Sequence, residues 1–369
     1  MDVAVVVALF NGADWIRSTL DSVISQTHSP SELIVVDDGS TDGSPGIVAE
    51  EYPEARLVEN SGNGPCEARN YGVGCANAEK VAFLDQDDLW HEDHLNLIDQ
   101  AYQAFPQCVV AYSGVARFNN SEPPNYSVDG YDPYTYDPWD DYPYDGLGET
   151  IGGVFRRDAF EQVDGWSPEV EGGGVHHLWL KLGLVGDFAV TGCRTAAKRE
   201  HDQQFSEILR QNQAETYFMK IIEASEEALK RRSQHGLSTD RFVPRLKAQK
   251  ALLDLLRATK KEDRSEMRRS LRDFGEGMAD EPRDVIRGMW NYFWWPAKPV
   301  FEQRGIATSA ADFIEFTKQW PETLQRPRKF LHEWSVGRAS SLELIRRHPV
   351  QFQYWSLLVR RQIRSLRST

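Results

Sequence analysis

The chain is short of several things, and each shortage narrows what it can be. Only four of its 369 residues are cysteine. Cys66, Cys75, Cys108 and Cys193 form no Cys-x-x-Cys pair and share no regular spacing. A disulfide framework is therefore excluded as the organising device, and reduced, mostly buried thiols of a cytoplasmic protein are expected. No run of about eighteen apolar residues occurs, which excludes a membrane-spanning helix. The apolar start, residues 3–10, is short and lacks a basic flank, so it is read as a first strand rather than a signal peptide. Positive charge is also in deficit. The 42 Lys and Arg against 56 Asp and Glu leave a formal charge of −14, which speaks against nucleic-acid binding through phosphates. The deficit is uneven. From Leu324 onward ten Lys or Arg stand against only Glu333 and Glu343, so that tail is near +8 and the remainder near −22.

What is present begins with a β-branched run over residues 2–10, of the kind buried on both faces in a parallel sheet. Asn11-Gly12 breaks it, and Trp15, Ile16, Leu20, Val23 and Ile24 follow at helical spacing. Further strands are predicted over residues 33–36, 55–58, 80–84, 108–118, 151–157 and 187–191. Helices are predicted over 47–52 and 65–77, around Phe160 and over 178–182. Strand and helix alternate every ten to fifteen residues, the pattern of an α/β domain with a mostly parallel sheet. Ligands of such sheets bind beyond the carboxyl ends of the strands.

Three predicted strand ends carry polar loops: Asn11-Gly12, Asp37-Asp38-Gly39-Ser40 and Asp85-Gln86-Asp87-Asp88. The last packs three carboxylates into four positions. Like charges so close repel unless a cation sits among them, and oxygen ligands suit Mg²⁺ or Mn²⁺ better than zinc. The plainer alternative is a solvated turn with an acidic cap for the next helix. One ligand site on one sheet edge explains all three loops together.

Residues 121–144 are rich in Tyr and Asp, hold five Pro and are almost without aliphatic side chains. They read as a long excursion loop, either walling a sugar site with aromatic faces or packing domains together. After His201 the texture is helical to the end, with amphipathic stretches at 214–231 and 246–261. The expected division is an α/β domain over residues 1–208 and a helical accessory domain over 209–369. Residues 289–296 form a dense aromatic cluster, read as a core plug. Residues 352–367 run from apolar and aromatic to basic, which suits a helix on an anionic membrane at the inner face, a homodimer contact or a solvated basic helix equally well.

Five segments, in order, resemble glycosyltransferase family 2. They are Val36-Asp37-Asp38-Gly39-Ser40-Thr41-Asp42, Ala68-Arg69-Asn70-Tyr71-Gly72, Leu84-Asp85-Gln86-Asp87-Asp88-Leu89-Trp90, Phe155-Arg156-Arg157 with Phe160 and Gly165-Trp166, and Arg199-Glu200-His201 with Ser206. The resemblance covers residues 1–206 or so. It implies the GT-A fold and a metal-dependent, inverting glycosyltransferase that uses a nucleotide sugar, a UDP-sugar, and a glycan, lipid-linked or protein acceptor. It places Phe10 and Asn11 beside the nucleoside, Asp38 on the base and Arg69 near the base or diphosphate. Asp85 and Asp88 fall on the donor side, with Asp85 near the ribose. Asp87 would bind Mn²⁺ or Mg²⁺, and His201 sits where many members place a further metal ligand. Each has a plainer alternative: a turn residue for Asp38, a helix-surface ion pair for Arg69, a capping or packing histidine for His201. A nucleotidyltransferase is disfavoured, because Phe10-Asn11-Gly12-Ala13 is not a Gly-rich loop bearing Lys or Arg.

The chain departs from the family at one point. Inverting members carry Glu-Asp before the Leu-Trp-Leu-Arg-Leu-like helix, and the Asp is the general base. Aligning on Leu178-Trp179-Leu180-Lys181-Leu182 puts Gly174-Val175 there, and valine takes no proton. The substitutes within reach in sequence are His176 and His177, whose ordinary pKa suits base work, and Glu171, before Gly172-Gly173-Gly174. The alternatives are an acceptor that needs little base help, or a catalytically weak sugar-nucleotide-binding scaffold of a glycan-assembly complex.

Overall fold

Strand β1 (Val3–Leu9) is apolar at every position, so it is stable only where both its faces are covered. The computed structural model of the chain describes residues 1–60, 64–119, 122–139, 149–170, 174–201 and 204–278, with positions 297 and 300. In chain order β1 is followed by α1 (Ile16–Ile24), β2 (Glu32–Asp37), α2 (Ser44–Glu51), β3 (Ala55–Glu59), α3 (Pro65–Cys75), β4 (Lys80–Asp85) and β5 (Leu89–Trp90). Then come α4 (His94–Ala104), β6 (Val110–Phe118), β7 (Tyr134–Tyr136), β8 (Gly153–Arg156), α5 (Arg157–Gln162), α6 (Gly174–Leu182) and β9 (Phe188–Arg199). The sheet order is β3-β2-β1-β4-β8-β6-β9-β5, with β7 also paired to β9.

The first four strands of that order are parallel, with Val6 opposite both Ile34 and Phe83. Successive strand residues point to opposite faces. Val6, Ile34, Val36 and Phe83 accordingly join Phe160, Trp166 and Trp179 on one side of the sheet. Val5, Val7, Leu33, Val35 and Leu84 join Ile16, Leu20, Val48, Leu95 and Ile98 on the other. The two layers explain why these strands read as unbroken apolar runs. Helix α3 sits close on β1 because residue 72 is glycine: a Cβ there would stand 2.4 Å from Val6 Cγ1. Parallel pairing of β1, β2 and β4 brings their three carboxyl ends to one edge.

Two departures from the sequence reading bear on the site. Strand β9 does not stop at Thr191 but runs twelve residues to Arg199. Gly192, at φ +74°, and register shifts against β6 between Tyr112 and Val115 mark a bulge after which pairing resumes. The excursion loop is partly sheet. Its residues 134–136 form β7 antiparallel to β9, and Ser127 makes an isolated bridge to Arg194.

The described residues fall into two compact units. One takes in Met1–Pro138 and residues 149–201; the other takes in Trp139 and residues 204–278. The second unit is helical: α7 (Phe205–Gln234), α8 (Val243–Lys260) and α9 (Arg264–Gly277). Asp263 caps α9 by accepting from Ser265 N at 2.9 Å and Glu266 N at 3.0 Å. Trp139 is buried beside Phe242, and the Arg232 guanidinium lies 4.6 Å from its ring centre. The aromatic cluster at 289–296 and the basic stretch at 352–367 lie outside the described residues. Among the described residues no helix is long and apolar enough to cross a membrane.

Candidate functional site

At the end of β1 the chain turns through Asn11, at φ 50°, a left-handed conformation that asparagine tolerates better than most residues. Asn11 Oδ1 accepts from Thr41 N at 2.8 Å and Asp42 N at 3.3 Å, while Asn11 N donates to Ser40 Oγ at 3.0 Å. The first two polar loops are thus sewn together. Phe10 is 55% exposed, an unusual position for a phenylalanine in the turn after a core strand. Its backbone is held by Gln86, whose Oε1 accepts from Phe10 N at 2.7 Å and whose Nε2 donates to Phe10 O at 2.9 Å. Residue 12 must be glycine for this clamp, since a Cβ there would stand 2.5 Å from Gln86 Oε1.

Asp38, at the end of β2, is nearly buried. It accepts from Asn60 Nδ2 at 2.7 Å and from Gly64 N at 2.9 Å. These bonds aim its carboxylate at the loop that leads into α3. From α3, Arg69 Nη2 donates to Asp85 Oδ1 at 2.5 Å, and the guanidinium lies 4.8 Å from the Trp166 ring centre. Burial is the strongest single influence and would lower the Arg69 pKa, but Asp85, by charge and hydrogen bond, with Cys66 and Asp87, together outweigh it and raise the pKa. The neighbouring Asn70 bonds the backbone of Trp166 at both ends, donating to its O and accepting from its N, each at 2.9 Å. The Ala-Arg-Asn-x-Gly helix therefore fixes a cation, the tryptophan behind it and the acid in front of it.

Asp87 Oδ2 lies 2.7 Å from His201 Nε2. The His201 ring stacks on Trp15, with centres 5.1 Å apart and planes at 28°. Arg199 Nε donates to Asp87 O at 2.9 Å, and Arg199 N donates to Asp88 Oδ1 at 2.8 Å. Asp88 is 1% exposed. Burial first, then the charges of Asp87 and Asp85, push its pKa well above the ordinary carboxylate range, against the pull of Lys198. Lys198 is itself paired to Glu149 at 2.8 Å. Asp88, expected on the donor side, has a buried carboxylate that ties β9 to the cluster through the Arg199 backbone. The plainer alternative, in which this acidic turn itself caps the next helix, does not form. Leu89-Trp90 forms β5 instead, and Asp93 N-caps α4 without a side-chain hydrogen bond.

The residues expected to act as base fall differently. Glu171 lies outside the described residues. His176 and His177 are both inside α6 and buried, at 3% and 1% exposure. Burial lowers the His176 pKa to about 4. An imidazole so enclosed and so weakly basic is a poor match for a base poised near neutral pH. Buried Lys181, in the same helix, donates to Gly165 O at 2.5 Å and Ser167 Oγ at 3.0 Å, holding the turn that carries Trp166.

Metal fit turns on Asp87 and His201. A carboxylate oxygen and an imidazole nitrogen at 2.7 Å, with Asp85 two positions away, form a donor set suited to a divalent ion of the Mn²⁺ type. Among the described residues no group of three or more His, Cys, Asp or Glu is arranged to enclose a metal by itself. Such ions ordinarily take their remaining oxygens from water and substrate phosphates.

Sequence reasoning missed four participants: Gln86, Trp15, Lys198 and Asn60. Gln86 stands in the middle of the acidic motif, where only its neighbours carry an obvious chemical signal. Trp15 is masked by its place in an apolar helical pattern.

Residues 4–163 match the family model "Glycosyl transferase family 2". The succinoglycan biosynthesis protein ExoO of Rhizobium meliloti is 40% identical over 112 residues, 30% of this chain and 32% of that protein. The putative teichuronic acid biosynthesis glycosyltransferase TuaG of Bacillus subtilis is 40% identical over 99 residues, 25% and 38% of the two chains. An uncharacterized glycosyltransferase of Nostoc is 35% identical over 107 residues, 28% and 33%. The chain thus spans 32% to 38% of the length of these relatives. Among solved structures, S. aureus TarS 1–349 in complex with UDP-GlcNAc aligns with TM-score 0.54 at 14% identity, covering 92% of this chain and 93% of that one. That likeness shows the fold, a GT-A α/β domain followed by a helical C-terminal region. Residues 4–163 thus carry a match to glycosyltransferase family 2.

Proposed function

We propose that the protein transfers a sugar, with inversion, from a UDP-sugar to a glycan or glycoconjugate acceptor in a metal-dependent reaction. The observation that carries this reading is the convergence at one sheet edge of an exposed aromatic (Phe10), an oriented carboxylate (Asp38), a protonated arginine on an acid (Arg69–Asp85) and a metal-type pair (Asp87–His201). Departure of a nucleoside diphosphate develops negative charge, and fixed positive charge aimed there is the largest lever a protein has on such a step. Arg69 contributes a charge that does not titrate. Asp87 and His201 would hold the divalent ion, which when bound neutralises diphosphate oxygens. Phe10 offers a face for the nucleobase and Asp38 an acceptor for its N–H. TarS, whose structure contains UDP-GlcNAc, supports a UDP-sugar as donor. The names of ExoO and TuaG support a polysaccharide product. Glu171 and His177 are the candidates for the base that the sequence leaves once His176 is set aside. The near +8 tail suits contact with an anionic membrane surface; flotation with anionic vesicles tests that contact, and a chain that stays unbound removes it.

A second reading, a sugar-nucleotide-binding scaffold, is favoured by Val175 at the family's base position and by the burial of His176 and His177. UDP release from a panel of UDP-sugars with Mn²⁺ separates the two. Turnover supports the enzyme, whereas UDP binding without release from any donor supports the scaffold.

A further inference from the structure

We propose that Trp15 is a positioning residue for the Asp87–His201 pair and thereby sets the affinity of the site for its divalent ion. The inference rests on the metal reading given above and concerns how this chain meets it. A metal-ligating histidine ordinarily donates its second ring nitrogen to a carboxylate, carbonyl or water, which fixes the ring's orientation and tautomer. His201 lacks that device among the described residues: Nδ1 is buried and has no hydrogen-bond partner there. The ring is instead laid on Trp15, with centres 5.1 Å apart and planes at 28°. The same indole supports Arg199, whose guanidinium carbon is 4.7 Å from its ring centre and 4.5 Å from that of Phe118. Arg199 Nη2 also reaches Ser18 Oγ at 3.3 Å on the same helix as the residues that follow Trp15. His201 meets Asp87 at its carboxylate, and Arg199 meets it at its backbone oxygen. One side chain thus supports both groups that hold Asp87, from a position just ahead of α1. Trp15 is only half-buried, so it is not a core residue whose loss would be expected to unfold the domain.

The test is Mn²⁺ binding by the full chain at saturating UDP, read as loss of the free-ion electron paramagnetic resonance signal, for the wild type, Trp15→Phe and Trp15→Ala. An aromatic ring of either kind keeps the platform. The expected result is Mn²⁺ affinity about tenfold or more weaker in Trp15→Ala, near wild type in Trp15→Phe, and a cooperative melt retained by both in chelator. Wild-type affinity in Trp15→Ala overturns the inference and leaves the metal reading standing. Loss of cooperative unfolding in Trp15→Ala overturns it in favour of a structural role. A wild type that retains no Mn²⁺ with UDP overturns the metal reading, and this inference with it.

Discussion

On the proposed reading, the carboxyl end of β4 and the start of α6 serve one reaction from different states of preparation. At β4 every acidic side chain has an assigned partner: Asp85 has Arg69, Asp87 has His201, and Asp88 has the Arg199 backbone. At α6 residue 175 is valine, and the two histidines that follow it are buried. The carboxyl end of β4 is preorganised by hydrogen bonds within the unit, which is how a site gains electrostatic strength without reorganising during reaction. On the proposed reading, holding a donor and activating an acceptor fall to separate elements, and the variants below test that separation.

The largest effect is expected at the prepared end. Asp87→Ala removes the carboxylate that faces His201, and turnover of a UDP-sugar should fall by about two to three orders of magnitude with loss of Mn²⁺ retention. Steady-state kinetics beside metal titration check it, and activity within tenfold of wild type would show that the cluster is structural.

At the other end, Glu171→Gln should reduce transfer by about a hundredfold while UDP binding, followed by calorimetry, is unchanged. His176→Gln should leave transfer within about threefold. If these two variants exchange places, the buried histidine is the base and the contrast between the regions disappears.

The smallest effect is on stability. His94 is buried, stacked on Trp90, with Nδ1 2.7 Å from Thr195 Oγ1. Burial lowers its pKa to about 3 and that of His176 to about 4. A histidine with a depressed folded pKa contributes stability above its unfolded value near 6.5, and that contribution is lost as pH falls toward the folded value. Each therefore weakens the fold by about 2 kcal/mol between pH 8 and pH 5. Denaturant melts across that range check it: His94→Gln should flatten the acid limb, and an unchanged slope would contradict the assignment.

The strands over residues 3–9, 32–37 and 80–85 were legible because burial on both faces leaves an unbroken apolar signature. The polar loops were legible because strand direction delivers them to one edge. The continuation of β9 was not, since Gly192 and the polar residues after it look like a strand's end until a neighbouring strand supplies the pairing. The burial of Asp88 was equally hidden. Its sequence is indistinguishable from that of an exposed acid, and only the Arg199 backbone, more than a hundred residues away, turns it inward. Trp15 and Gln86 act through contacts at long separation, which periodicity does not encode.

The most direct measurement of the central claim is calorimetric binding of UDP to the full chain with Mn²⁺ and again with chelator. Metal-dependent binding that is lost in chelator and in Asp87→Ala is the expected result. UDP binding unaffected by either change, or no UDP binding at all, would contradict the assignment of the Asp85–Asp88 edge as a metal–diphosphate site.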